Sequence, residues 1–272
     1  MASTLALGSS VLMLTAAHGA QRMSAPPQPT QQQAQFTPPD DSQVDGDTIL
    51  TSTGTYFRPP SDPSPTSGPR TSTGTRQGGC LGVTETAFAI FGPKATDKVV
   101  GQTASTRPTF VWHLPETERR FPVIFRLLAP DTDGIPTAIY QTTFDYTPGF
   151  ISHQLPVPVP ALSQGIEYRW QVIIECNPAY PSRAMLQELS FEVVPGPTGL
   201  SQTLAAANTS TERAIAYGQA GMWYDAIAEV AAATTPEDQQ TRSGLLTDLA
   251  ASLPDTEAQL QQDILGIVET AR

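Results

Sequence analysis

Three histidines, two cysteines and a scatter of carboxylates are the residues of this chain that could carry chemistry. His18 lies in an apolar N-terminal stretch, which leaves His113 and His153. Two histidines do not make a His-rich metal site, although either could join carboxylates. His113 alternates with Trp112 and is expected to face away from the core, at the surface. His153 shares a face with Ile151 and Leu155, where a core or edge histidine held by one hydrogen bond is expected; a group with a displaced pKa is the sharper alternative. Glu116, Glu118, Asp131 and Asp133 fall in expected loops and read as solvated charge, not as the paired carboxylates of a glycosidase. Asp131-Thr-Asp133-Gly134 opens like a calcium loop, but its twelfth position is Thr142, not Glu. Gly-x-Ser-x-Gly is missing, and no Lys-Ser/Thr follows Gly78-Gly79, so neither a serine-hydrolase elbow nor a phosphate loop is indicated. No catalytic residue, cofactor or metal ligand is expected.

Cys80 and Cys176 form no C-x-x-C pair and no Cys/His cluster, which excludes the usual zinc spacing. In an exported protein they read as one disulfide; in a cytosolic one they would be two buried hydrophobes. Trp112 and Trp170 fall on inward faces and are expected in the core. Trp223 and Tyr224 lie near a helical turn, either as an exposed contact pair for a partner or as the residues that dock a helical tail.

The elements that must position these residues change character along the chain. Residues 5–17 are apolar, too short to span a bilayer, and small residues follow to Ala20. A signal peptide over 1–20 and an exported, periplasmic or surface location are expected, although no Lys or Arg precedes the apolar run. No later stretch is a transmembrane candidate. Residues 21–79 are rich in Pro, Gln, Thr and Ser and lack periodicity, so a flexible leader is expected there. The formal net charge of −11, with Lys94 and Lys98 the only lysines, argues against nucleic acid or anionic lipid as partner.

From 80 to 196 short runs of period two alternate with Pro, Gly and Asp. Tyr168, Trp170, Val172, Ile174 and Cys176 define the clearest strand, one face of an expected stretch over 168–176. Seven strands in about 115 residues are the size of an immunoglobulin- or fibronectin-III-like antiparallel β-sandwich. Leu162-x-x-Gly165-x-x-Tyr168 resembles the tyrosine corner of such folds. With strand directions alternating, Cys80 and Cys176 fall at the same pole. Residues 200–272 switch to spacings of three and four, and helices are expected near 209–219, 222–234, 237–252 and 255–270, with Thr235 capping and Pro236 opening the third. Arg213 to Val230 resembles one tetratricopeptide-like hairpin; a single hairpin is not a solenoid, and a plain helical tail is the alternative.

Arg76-Gln-Gly-Gly-Cys80, Arg107-Pro-Thr-Phe-Val-Trp112, Thr147-Pro-Gly-Phe-Ile-Ser152, Gly165-Ile-Glu-Tyr-Arg-Trp170, Cys176-Asn-Pro178 and Tyr217-x-x-Ala-Gly-Met-Trp-Tyr-Asp-Ala226 occur in this order. As a set they resemble the cyanobacterial domain of unknown function 928 family. The resemblance implies a signal, a leader, a β domain and a helical tail in a periplasmic or outer-surface protein, with no known activity. His153 departs from it, standing where a small or apolar residue is expected.

The function expected from these readings is a non-catalytic interaction or structural module of the cell envelope, with an envelope protein as partner. A glycan-binding sandwich is the alternative, and it requires Tyr140, Tyr146, Phe150 and Tyr180 to form an exposed flat face. An envelope hydrolase is the least supported.

Overall fold

The computed structural model describes residues 55–66 and 80–271; the expected signal and the rest of the expected leader lie outside the described residues. The chain is mainly β, with several sheets and a C-terminal helical segment. Its strands are β1 (Ser64–Pro65), β2 (Ala89–Ile90), β3 (Lys98–Val99), β4 (Gln102–Thr103), β5 (Thr109–Leu114), β6 (Val123–Pro130), β7 (Pro136–Phe144), β8 (Gly149–Gln154), β9 (Glu167–Ile174) and β10 (Met185–Val193). One sheet runs β2-β5-β8, a second β4-β10-β9-β6-β7, and β1 pairs with β3.

The period-two runs place their large residues where the alternation dictates. Phe110 of β5 meets Phe125 of β6 at 5.1 Å and Trp170 of β9 at 5.0 Å, so the two larger sheets close over one aromatic core. Trp112 and Trp170 are fully buried. Tyr168 closes the expected corner: its hydroxyl accepts from Ser163 N at 2.9 Å, and Gly165 supplies the positive φ of the turn before it. Cys80 and Cys176 are bonded, with Cα atoms 5.4 Å apart.

His113 corrects the surface reading. It is 8 % exposed, because both faces of β5 are covered: one by the second sheet, the other by the helical segment. Alternation tells which side a residue faces, not what lies on that side. His153 is half-buried against Phe125 and Phe144, with Nε2 3.2 Å from the Tyr140 hydroxyl.

The helices are α1 (Leu200–Ala206), α2 (Ser210–Gln219), α3 (Trp223–Glu229), α4 (Pro236–Ser252) and α5 (Ala258–Thr270). Thr209 and Glu212 form a capping box on α2, and Thr235 caps α4 with Pro236 at its first position. The sequence missed α1 and carried α3 too far, to 234. The chain turns away after Glu229, and Ala233 takes a positive φ in the loop that follows. Among the described residues no helix is long and apolar enough to cross a membrane.

Candidate functional site

Trp223 and Tyr224 open α3 and are both fully buried, which corrects the reading of them as an exposed contact pair. Trp223 donates its indole N–H to the Phe91 carbonyl at 3.0 Å, and the Tyr224 hydroxyl accepts from Trp170 Nε1 at 2.9 Å. The Tyr224 ring lies 5.2 Å from Phe191 and 5.7 Å from Phe110. Gly92 and Gly101 make its room; a Cβ on Gly92 would come within 2.8 Å of its hydroxyl. Burial pushes that phenol well above its ordinary pKa. One residue on, Asp225 accepts from Ala104 N at 2.8 Å, and burial raises its carboxyl. The pair therefore joins helices to sheets and is closed to a partner.

The rings required for a flat glycan platform do not make one. Tyr146 is buried with its hydroxyl on the Pro115 carbonyl, and burial pushes it up to about 12. Phe150 lies under the Arg242 guanidinium at 4.0 Å, Tyr140 stacks on His153, and Tyr180 stands apart beside Arg183. Of the four rings only Phe150 is in β8, and Arg242 of α4 covers it. Asp131 spends its Oδ1 on Asp133 N and Ile135 N, which makes it a turn residue. No group of three or more His, Cys, Asp or Glu side chains among the described residues could hold a metal.

Two features remain. The first is a cavity of about 420 Å³ beside β9 and β10, lined by Lys94, Lys98, Glu167, Arg169, Glu188 and Glu257 among others. Lys94 pairs with Glu257 at 2.6 Å, and Arg169 with Glu188 at 3.6 Å and Glu167 at 3.9 Å, so these five charges are paired inside it. The sequence held one signal for this site: both lysines of the chain fall within five residues.

The second is a groove between α2, α3 and α4, and it is filled. Residues 55–60, Thr-Tyr-Phe-Arg-Pro-Pro, lie in it as an irregular strip that bends at Tyr56. Asp248 of α4 accepts from Tyr56 N at 2.6 Å and Phe57 N at 2.9 Å with the same oxygen. Arg58 N donates to the Gly218 carbonyl at 3.1 Å, and Gln219 Nε2 donates to the Thr55 carbonyl at 3.0 Å. Phe57 is 2 % exposed, edge-on to Trp223 at 5.0 Å. Gly218 and Gly244 form the floor: a Cβ on the first would overlap the Tyr56 carbonyl, and on the second the Tyr56 ring. Burial raises the Asp248 carboxyl, and the two amide bonds oppose the shift. Residues 55–60 are thus docked, although they fall within the stretch 21–79 that reads as a flexible leader; 21–54 and 67–79 lie outside the described residues. Tyr56-Phe57 is the apolar signal the composition argument passed over.

Several residues that carry the family resemblance tie loops of the sheets together. Arg107 donates to the carbonyls of Pro156 and Val157, and Gly165 N to the Val193 carbonyl. The matching family model covers residues 71–258, more than half of the chain. The chain belongs to the Domain of Unknown Function (DUF928) family. No curated protein and no solved structure matches it. The DUF928 match contains Gly218, Gln219, Trp223, Gly244 and Asp248, and begins after the strip that they hold.

Proposed function

We propose that this DUF928 protein is an exported, non-catalytic interaction module of the cell envelope. In this reading an immunoglobulin- or fibronectin-III-like sandwich is the rigid frame, and a tetratricopeptide-like hairpin of α2 and α3 forms the contact surface with α4. The strand grouping supports the frame, with β2, β5 and β8 in one sheet and β4, β10, β9, β6 and β7 in the other, antiparallel except where β4 runs parallel to β10. The Tyr168 corner supports it as well. The disulfide and the lack of a membrane-spanning helix among the described residues are compatible with an exported protein.

One observation carries the functional part: the helical groove grips a short irregular strip of chain through its backbone and one buried ring. That is how peptide-binding surfaces work, since main-chain bonds give affinity and a side-chain pocket gives selectivity. Recovering the native protein from its source after chemical cross-linking, with mass spectrometry, tests the reading. It should begin after Ala20, carry the Cys80–Cys176 bond, and bear cross-links from α2 and α4 to another envelope protein. Free thiols in a cytosolic fraction would end the export reading, and cross-links confined to the sheets would end the role of the groove.

A further inference from the structure

The strip in the groove and the groove itself belong to different parts of the chain. Gly218, Trp223, Gly244 and Asp248 lie within the family match, while residues 55–60 lie before it. What the groove reads is largely backbone. Hydrogen bonds engage the N–H groups of Tyr56, Phe57 and Arg58 and the Thr55 carbonyl. The consecutive Tyr56 and Phe57 amides converge on one Asp248 oxygen, so the groove takes a backbone that bends at the aromatic pair. Selectivity falls on Phe57 against Trp223, and on the glycine floor, which admits the Tyr56 ring and backbone but no added methyl. Arg58 and Pro59 are exposed. The two prolines that follow favour an extended chain and lower the entropy lost on docking.

We infer that residues 55–60 are an internal occupant of a peptide site. The partner that displaces them is a segment of the same chemistry, an aromatic pair followed closely by proline, with its backbone bent at that pair. This rests on the interaction-module reading above. A tethered occupant competes at an effective concentration of about millimolar, so a free peptide gains the site only when the strip is withdrawn. A strip held at the periphery by a few bonds opens more readily than a central strand.

The test uses the full chain and a fluorescein-labelled peptide copying residues 53–62, followed by anisotropy. Phe57→Ala weakens the internal occupant and leaves the groove intact; Gly218→Ala puts a methyl where the peptide carbonyl must lie. Phe57→Ala should bind at least tenfold more tightly than the unaltered chain, and Gly218→Ala should not bind. Equal affinity for the unaltered chain and Phe57→Ala overturns the internal-occupant inference and leaves the groove a binding site. No binding by either overturns the groove as well. Should Phe57→Ala fail to fold, hydrogen exchange on the unaltered chain decides: the Tyr56 and Phe57 amides should exchange at least tenfold faster than those of Trp170 and Val172, and faster again with excess peptide. Exchange in step with β9 overturns the inference.

Discussion

His113 shows what burial does to one residue. Its Nδ1 lies 3.0 Å from the Ala87 carbonyl, which can only accept, so the neutral ring carries its proton there. Burial is the main cause holding its pKa below 6.5; Arg242 adds to the depression, while the Ala87 bond and Glu116 oppose it. Below pH 6.5 the unfolded chain therefore binds more protons at this site than the folded one, and stability falls as pH falls through that window. Above 6.5 the contribution is flat. His153, also lowered by burial, acts in the same direction. Urea unfolding between about pH 5 and 7 should show this acid-side loss, and His113→Gln should flatten part of it. An unchanged slope in that variant would mean that the ring titrates freely.

At the scale of elements, the helical segment is not an appendage. α3 places Trp223 and Tyr224 in the same core as Phe110, Phe191 and Trp170, and α4 lays Arg242 over Phe150. Removing residues 200–272 would uncover those rings and take away Tyr224, the acceptor of the Trp170 indole N–H. The truncated chain is expected to aggregate on expression, or to bind a hydrophobic dye and lose its near-ultraviolet circular dichroism. A cooperative, monomeric melt would show that the sheets stand alone. A finer probe is Tyr224→Phe, which removes only the acceptor and should lower stability by about 1–3 kcal/mol in urea.

For the whole molecule, the disulfide is the longest-range covalent constraint. It joins residues 96 apart, a loop worth about 4–5 kcal/mol in the chain-entropy account of cross-links. Cys80→Ala with Cys176→Ala is expected to lose a large part of that, read as a lower urea midpoint with an altered slope. A midpoint unchanged by the double substitution or by reductant would show that the sheets and helices hold the Cys80 end without it. The second constraint is non-covalent: β1 on β3 and the strip on α2 and α4 tie residues before the family match back onto it.

Local chemistry alone determined a good deal. Period-two runs located the long strands, because a pleated chain must alternate its apolar residues between core and outside. Thr235-Pro236 marked the start of α4, because capping and a fixed φ are properties of two adjacent residues. Alternating strand direction put Cys80 and Cys176 at one pole, where a disulfide is geometrically reasonable, and the two are bonded. Only the tertiary structure decided what covers each face. Helices over the outer face of β5 turned His113 inward, Tyr224 entered a space cleared by Gly92 and Gly101, and Asp248 met Tyr56 across 192 positions of chain. Contacts between distant segments depend on how whole layers stack, and no window of sequence contains both partners.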